Sequence, residues 1–489
     1  MNLLSFTFLA GIFLLLAVQN LPFFSKRAKS QNALLLVVGY LLYAGTDIRG
    51  FLLLLVSTIA YYLLGIAIQK RVGAGEIRKA YPLTFLGVAF GVGLLLYFKY
   101  LGFFIQSFAA LAESLGWTFD TPTLHILLPL GLSFYTFRLI SYVIEIYRER
   151  TEAERNFVDF ALYISFFPCI VSGPIDRPNA FLSQIKSARL FRYADFLTGC
   201  RMILWGMFLK ICIADTLAPT TDAVWQSLSD TNGAALLLSA LIYPVQMYSD
   251  FCGYSLLAIG IGRLLGLRIT PNFRTPFFAR NVAEYWRRWH MSLTSWITDY
   301  VFMPLNILLR DYARLGTALA VIINLIVIGM WHGANWTYAL FGLYHGLLFI
   351  PLIYGGQFGK TRKLKPGKWE LPKAGDALRM LATYLLVTVA FILFRAPDVS
   401  SAMAYFSGIF SESLFTSPQL PSFRLLYVAL IMLLFIADWV YRNDECVLCF
   451  HGKGLMKYRA ARWMVYYALL FAIYANCENL HGDFIYSQF

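Results

Sequence analysis

Two histidines with tryptophan neighbours, His290 and His332, are the residues of this sequence best suited to chemistry. They are 42 residues apart, and His332 follows the apolar run 319–330. An ionisable side chain at membrane depth is costly unless it pairs with another group or takes part in a reaction. A neutral imidazole can accept a proton from a hydroxyl group while that oxygen attacks a carbonyl carbon. We therefore interpret His332 as a candidate for acid–base catalysis, with a buried structural histidine as the alternative.

The residues after His332 suit close approach of a substrate. Gly333 lets backbone or ligand come near, and Trp331 is a supporting aromatic neighbour. Asn335 has two interpretations. Its amide could hold the imidazole tautomer or donate to a developing oxyanion, and it could equally cap the helix that begins at Trp336.

Two arginines, Arg287 and Arg288, stand just before Trp289 and His290. The planar guanidinium group binds two phosphate oxygens at once, so the pair could admit the phosphates of an acyl donor. The alternative is an interfacial helix whose arginines only set topology. Charge counting places these arginines on the cytoplasmic side and His332 farther outward, so the two histidines need not share one site and could mark successive points on a path, with the donor at His290 and transfer at His332.

Helical spacing predicts one continuous helix around His290. Positions separated by three, four and seven residues share a helical face. This rule places Trp286, Trp289, Leu293 and Trp296 on the same face as His290.

Several other charged residues stand in or near apolar runs. Asp250 and Glu145 are interpreted as paired structural charges, and Asp250 is the better functional candidate because Ser249 precedes it. Arg138 needs a partner. His345 is expected across the next span, on the opposite side of the membrane, with a structural or cavity-lining role.

The composition indicates a polytopic membrane protein. The 489 residues are 59% hydrophobic and 14% charged, whereas soluble domains carry about 25% charged residues. The net charge of +14 does not indicate nucleic-acid binding, because the cations lie in the gaps between apolar runs. The expected partner is the lipid bilayer.

The apolar runs predict an all-α fold of about eleven transmembrane helices plus re-entrant or interfacial segments. The first run precedes its cations, so it is an uncleaved helix, and charge counting puts both termini outside. Three prolines in the apolar stretch 157–178 predict a broken or re-entrant helix. We predict a single membrane domain with N-terminal spans in 1–150, a catalytic core in 151–395 and C-terminal spans in 396–489.

No metal site is predicted. Cys446, Cys449 and His451 have metal-like spacing, but they form a half-site without a second pair.

The chain resembles the membrane-bound O-acyltransferase family at a series of motifs in the family's order. Within the family it is similar to the bacterial branch that acetylates alginate and transfers D-alanine to teichoic acids. The motifs occupy residues 128–137, 167–175, 248–255, 272–277, 285–293, 331–336, 394–396 and 484–489. One departure is Ser487, where the family's tail carries an aromatic residue.

The resemblance implies that His332 is the principal catalytic histidine and His290 the second. It implies a helical fold around a central funnel or tunnel in the bacterial inner membrane. The donor would be a cytoplasmic thioester, either acetyl-CoA or an acyl carrier protein, and no cofactor would be tightly bound. A periplasmic esterase-like acetyltransferase would then modify the polysaccharide, together with the polysaccharide synthesis machinery.

The expected function is O-acyl transfer, with acetyl as the expected group, for O-acetylation of a cell-envelope polysaccharide or exopolysaccharide such as alginate. Alternatives are D-alanyl or other acyl transfer to teichoic acid or peptidoglycan, a glycolipid transporter, and a scaffold that recruits periplasmic enzymes. A transporter would move a glycolipid without any thioester. The sequence has no matching broken segments in two halves, which are typical of secondary transporters.

Overall fold

The all-α prediction is confirmed in a computed structural model that describes residues 3–117, 126–360, 371–450 and 454–477. Throughout these ranges the regular structure is helical, and they contain no strand. The tail motif 484–489 with Ser487, and His451 of the half-site, lie outside the described residues.

Long apolar helices make this a multi-pass membrane protein. Within the described residues, seven helices are long and apolar enough to cross a membrane. They are Ile48–Gly73, Ile77–Ser114, Tyr193–Gln226, Gly233–Leu264, Arg310–His332, Trp336–Tyr354 and Ala374–Arg395. Phe6–Gln19 and Leu425–Val440 are shorter apolar helices. The count of about eleven spans, the central tunnel and the sidedness of the termini stay predictions.

The chain divides into two compact units. Unit 1 comprises Met1–Gly199 with Ile261–Thr270, and unit 2 comprises Cys200–Gly260 with Pro271–Phe489. This division does not test the predicted single membrane domain or its three segments, which stay predictions.

The first ten helices belong to unit 1. They are α1 Phe6–Gln19, α2 Pro22–Ser25, α3 Ala28–Ala44, α4 Ile48–Gly73, α5 Ile77–Leu95, α6 Leu101–Ser114, α7 Leu132–Tyr147, α8 Phe157–Ser165, α9 Phe167–Ile170 and α10 Pro178–Ile185. A π-helical segment, Leu96–Tyr100, joins α5 to α6.

The predicted break in the stretch 157–178 is confirmed, and Arg138 on α7 stabilises it. Helix α8 ends before the proline-rich segment, and only the single turn α9 precedes α10. The buried guanidinium group donates to the carbonyls of Tyr163, Ile164, Cys169 and Pro174 at 3.1–3.4 Å. A break at membrane depth leaves backbone carbonyls without helical partners, so the cation satisfies them. The partner that Arg138 requires is therefore backbone.

The remaining helices are α11 to α22. They are α11 Tyr193–Met207, α12 Asp215–Gln226, α13 Gly233–Leu264, α14 Val282–Trp286, α15 Met291–Ile297, α16 Met303–Leu308, α17 Ala313–His332, α18 Trp336–Tyr354, α19 Ala374–Arg395, α20 Val399–Ile409, α21 Leu425–Val440 and α22 Arg459–Ala475. A π-helical segment, Phe208–Ala214, makes α11 and α12 continuous.

Two polar stretches between apolar runs, 215–232 and 397–422, contain helix. The stretch 215–232 is helical as far as Gln226, and 397–422 contains α20. In α12 the hydroxyl of Thr216 donates to the carbonyl of Cys212 at 2.8 Å. This polar side chain therefore has its hydrogen-bond partner within the helix. Polarity alone therefore does not mark the end of a span here.

The hairpin of α17 and α18 positions His332. Glycines let the two helices pack closely, because a Cβ at Gly329 would lie 2.1 Å from the Tyr338 carbonyl oxygen. A Cβ at Gly342 would lie 2.3 Å from the Leu325 carbonyl oxygen. Small residues at such contacts are typical of helix pairs in membranes. The hairpin turn then leaves His332 as the last residue of α17, buried within unit 2.

Candidate active site

The two histidines predicted to be catalytic lie together in unit 2. Their ring centroids are 6.3 Å apart, and both side chains are buried. Trp331 contacts both, with centroid distances of 5.6 Å to His290 and 5.0 Å to His332. The alternative in which the two histidines occupy separate sites is therefore wrong. They belong to one cluster, because the chain folds back over the 41 residues between them.

The backbone at His290 departs from the predicted continuous helix. Helix α14 ends at Trp286 and α15 begins at Met291. Between them His290 adopts φ +43° and ψ 52°, the left-handed region, which side-chain-bearing residues rarely occupy. The prediction of one shared helical face is wrong for this reason. The break turns the His290 ring onto Phe251 of α13, with a centroid distance of 4.6 Å.

Asn272 holds this break in place, and sequence reasoning assigned it no role. Its carbonyl accepts from the Met291 amide at 2.8 Å, and its Oδ1 accepts from the Ser292 hydroxyl at 2.6 Å. Its Nδ2 donates to the Ser255 hydroxyl of α13 at 3.0 Å. The only signal in the sequence was its place in the motif 272–277. Buried and fully bonded, Asn272 fixes the residue that follows His290.

Replacing Asn272 with alanine is expected to lower kcat by about 10- to 100-fold, because it would shift His290, which is predicted to be catalytic, and a small displacement of such a group costs rate strongly. The KM for the acyl donor should change little. Steady-state kinetics of the purified variant would measure both constants. Asn324→Ala, which removes another buried asparagine of unit 2, is the matched control. Equal loss of kcat in the control would show that Asn272 acts only through stability.

Asn335 is a helix cap. Its Oδ1 accepts from the Thr337 amide at 3.1 Å, and its Nδ2 donates to the Pro397 carbonyl at 2.6 Å. Of its two sequence interpretations, the geometry supports capping of α18. A role toward an oxyanion or the His332 tautomer would require Asn335 to leave these partners.

Aromatic rings enclose the cluster. Phe394 lies 5.0 Å from the His332 ring, and Phe341 lies 6.5 Å from it. Trp289 contacts Phe391 at 5.5 Å and stacks on Tyr285 at 5.5 Å, so it supports the wall around the site. This enclosure gives the histidines apolar surroundings, in which electrostatic interactions are strong.

His345 lies near the middle of α18, and its predicted place at the far end of that span is wrong. Its ring packs on Phe341 at 4.6 Å and on Trp286 at 5.1 Å. Its Nδ1 lies 3.1 Å from the Phe341 carbonyl oxygen. These contacts agree with the structural role inferred from the sequence.

Asp250 belongs to a buried charge cluster that includes a lysine missed by sequence reasoning. The Nζ of Lys210 lies 2.5 Å from Asp250 and 2.7 Å from Asp215, and all three side chains are at most 5% exposed. Lys210 is the only charged residue in the apolar stretch 202–214, and a lone cation there indicates a buried carboxylate partner. Asp250 is therefore a paired charge. Glu145 in unit 1 is paired as well, at 4.0 Å from Arg148 and 3.8 Å from Arg150.

A basic cavity of about 700 Å³ opens beside the segment that carries His290. Its lining includes six cations and one carboxylate. The cations are Arg274, Arg280, Arg287, Arg288, Lys360 and Arg379, and the carboxylate is Glu284. Such an excess of positive charge in a concave site favours anionic ligands.

The two arginines predicted to bind the donor differ in their surroundings. Arg288 donates to Glu284 at 2.7 Å and to the Thr275 hydroxyl at 3.3 Å. Burial raises the pKa of Glu284, but hydrogen bonds from Arg280 and the charge of Arg288 outweigh it and hold that pKa below its usual value. Arg287 is exposed and donates to the Lys360 carbonyl at 3.3 Å. Arg287 is therefore the better placed of the two to meet a ligand.

The part of the chain that the structure describes contains no candidate metal site. No group of three His, Cys, Asp or Glu residues there could hold an ion. Cys446 and Cys449 are both free thiols. The absence of a metal cofactor stays a prediction.

Comparisons with known proteins agree with the motifs. Residues 151–365 match the family model described as MBOAT, membrane-bound O-acyltransferase family. The chain is 35% identical over 427 residues to the probable alginate O-acetylase of Azotobacter vinelandii, covering 86% of this chain and 81% of the relative. It is 29% identical over 435 residues to the peptidoglycan O-acetyltransferase of Helicobacter pylori, covering 81% and 78%. It is 28% identical over 408 residues to the teichoic acid D-alanyltransferase of Bacillus subtilis, covering 80% and 96%.

Proposed function

The chain belongs to the membrane-bound O-acyltransferase family, and from this premise we propose that it moves an acetyl group from a cytoplasmic thioester for O-acetylation of an exopolysaccharide such as alginate. That it is an O-acyltransferase follows from the family and from the named activities of its relatives. The acyl group, the donor, the acceptor and the direction of transfer are the proposed part.

The observation that carries the proposal is the buried pair His290 and His332 in one aromatic enclosure. In the proposed step an imidazole nitrogen of His332 accepts the proton of the acceptor hydroxyl as its oxygen bonds to the acyl carbon. The carbon–sulfur bond then breaks, and the leaving thiolate takes that proton from the imidazolium. An ester and a free thiol result. A transient acyl group on His332 is the alternative route through the same residue.

His290 is proposed to orient the donor thioester or to relay the proton. Its ring is close enough to His332 for both imidazoles to face one reacting group. Trp331 contacts both rings, and Trp289 packs on Phe391 in the surrounding wall. Asp250 is proposed to act only by holding α13 through Lys210.

The donor is proposed to be acetyl-CoA or the thioester of an acyl carrier protein, with its phosphates in the basic cavity. Arg287 and Arg288 stand three and two residues before His290, so one short segment joins the cavity lining to the histidine cluster. Guanidinium groups bind phosphate oxygens in pairs, which suits both donors.

Replacing Arg287 with glutamine is expected to raise the KM for acetyl-CoA by about fivefold while kcat stays unchanged, because a contact made equally in ground and transition states affects binding alone. Added salt should shrink the difference, since it screens exposed charges. Kinetics at two ionic strengths would measure this. Arg310→Gln removes an arginine that is 77% exposed and absent from the cavity lining, and serves as the control. A fall in kcat with KM unchanged would contradict a donor-binding role.

The acceptor pathway is proposed from the relatives' names. An alginate-like polymer follows from the probable alginate O-acetylases, and a periplasmic esterase-like acetyltransferase with the polysaccharide synthesis machinery would complete the transfer. The proposed location is the bacterial inner membrane with both termini outside, because the positive charges of the loops favour the cytoplasm.

Transfer of labelled acetyl from acetyl-CoA tests the proposal. The full chain in vesicles, supplied with labelled acetyl-CoA on one side and the periplasmic partner with polysaccharide on the other, should deliver label to the polysaccharide. Label on teichoic acid or peptidoglycan alone would favour the activities named for the other relatives. Glycolipid movement without thioester cleavage would instead indicate a transporter, and activity retained without either histidine would indicate a scaffold.

A further inference from the structure

A second basic cavity lies wholly within unit 1. It has a volume of about 430 Å³. It is formed by the end of α1, the segment after α10, the start of α11, and the last residues of α13 with those that follow. Four arginines line it against one carboxylate, and none of them serves the proposed reaction. The arginines are Arg189, Arg192, Arg263 and Arg268, and the carboxylate is Asp195.

Arg189 is held rigidly at the wall of this cavity. Its amide donates to the Gln31 side chain at 2.8 Å, and its carbonyl accepts from the same side chain at 3.0 Å. Its Nη1 donates to Asn32 at 2.8 Å. Across the cavity wall Gly266 has φ +79°, and a Cβ there would lie 2.9 Å from the Arg189 Cβ. The backbone and side chain of Arg189 are therefore fixed before any ligand arrives.

Part of the hydrogen-bonding capacity of the Arg189 guanidinium group is unused. Arg189 is one of the residues that line the cavity, and it is only 6% exposed. Among the described residues, Nε and Nη2 of Arg189 have no hydrogen-bond partner. Burial lowers the pKa of Arg189 to about 10, with Asp159 opposing the shift, so the group stays charged at neutral pH. Two buried guanidinium donors without acceptors are costly, and the charge of an anion in the cavity would offset part of that cost.

The other charges of the cavity leave a positive excess. Asp195 lies 3.1 Å from Arg263, 3.8 Å from Arg192 and 4.0 Å from Arg268. One carboxylate cannot neutralise three arginines. Arg192 and Arg268 are 72% and 67% exposed, so they can reach a ligand that enters from outside.

The rim of the cavity has the character of a membrane interface. Leu190, Phe191 and Tyr193 are 63%, 51% and 69% exposed. Phe191 packs on Phe196, which also contacts Phe13 of the apolar helix α1. Exposed aromatic side chains are typical of the level of lipid headgroups in membrane proteins.

We propose that this cavity binds the headgroup phosphate of an anionic phospholipid, with Arg192 and Arg268 as its ligands, the charge of the buried Arg189 behind them and the Leu190–Tyr193 rim against the acyl chains. The arginine cluster explains recognition of phosphate, and the aromatic rim distinguishes a lipid from a free anion. Basic pockets between membrane helices take acidic lipid headgroups by the same combination. The inference is independent of the reaction proposed for the histidine cluster.

Lipid binding by the full chain in detergent micelles tests the proposal. Phosphatidylglycerol and phosphatidylcholine with identical acyl chains are titrated, and the retained lipid is counted by native mass spectrometry. We expect wild-type protein to retain phosphatidylglycerol in preference to phosphatidylcholine. Arg192→Gln with Arg268→Gln should weaken that binding by on the order of twentyfold, about fivefold for each cation removed. Both residues are exposed, so the folded protein should persist even if Arg189→Gln fails to fold.

The control removes the same charge elsewhere in unit 1. Arg71→Gln with Arg78→Gln changes two exposed arginines that do not line the cavity, and binding should stay at the wild-type level. Equal retention of both lipids, or equal loss in the control, would overturn the proposal. So would displacement of phosphatidylglycerol by inorganic phosphate or acetyl-CoA at matched concentration, since the cavity would then take a free phosphate compound.

Discussion

Replacement of His332 with alanine is expected to lower acyl transfer by about 10²- to 10⁴-fold, the usual contribution of a positioned general acid–base group. The imidazole is buried at the end of α17 and is enclosed by Trp331 and Phe394. Without it, no group in that position would accept the proton of the acceptor hydroxyl. Release of free CoA and label on the polysaccharide should fall together.

His332→Gln is the control that separates loss of the imidazole from loss of side-chain packing. His332→Gln keeps much of the side-chain volume and its hydrogen-bonding capacity but cannot accept a proton at neutral pH. Both variants should accumulate to wild-type levels, with thermal unfolding near that of wild type for the glutamine variant. Undiminished polysaccharide acetylation in either variant would rule out His332 as the general base or acyl acceptor. Loss in alanine with full activity in glutamine would reduce His332 to a structural residue.

Replacement of Lys210 with methionine is expected to destabilise the protein by about 3–5 kcal/mol, because removing one partner leaves uncompensated buried charge. Asp215 and Asp250 share this ammonium group, and both carboxylates are at most 5% exposed. The midpoint of thermal unfolding in detergent and the yield of folded protein would measure the loss. Unchanged stability in Lys210→Met would contradict the charge cluster.

A compensated variant separates stability from function at Asp250. Lys210→Met combined with Asp215→Asn and Asp250→Asn removes all three charges, and it should recover most of the lost stability. If Asp250 only anchors α13, this variant should also recover most of the activity. A stable but inactive triple variant would instead give Asp250 a direct role in transfer.

Much of the fold was predictable because its causes are local. Long apolar runs require helices in a membrane, since backbone polar groups have no other partners there. The prolines of 157–178 forced a break, and the unpaired Arg138 required a partner nearby in the fold. The continuation of α11 into α12 was not predictable from the polarity of the residues, because the hydroxyl of Thr216 donates a hydrogen bond to a carbonyl within the helix.

By itself the sequence determined the membrane class, the helical secondary structure, the family and the two histidines that stand as catalytic candidates. Only the tertiary structure decided that His290 and His332 share one enclosure, since their 6.3 Å separation depends on chain reversal between α15 and α17. The tertiary structure alone also decided that the helix is interrupted at His290, where the backbone is left-handed and Asn272 holds the residues that follow. Helical periodicity describes an unbroken segment, and it carries no information about a distant side chain that breaks that segment. For the same reason Lys210 became the partner of Asp250 only after α13 packed beside it.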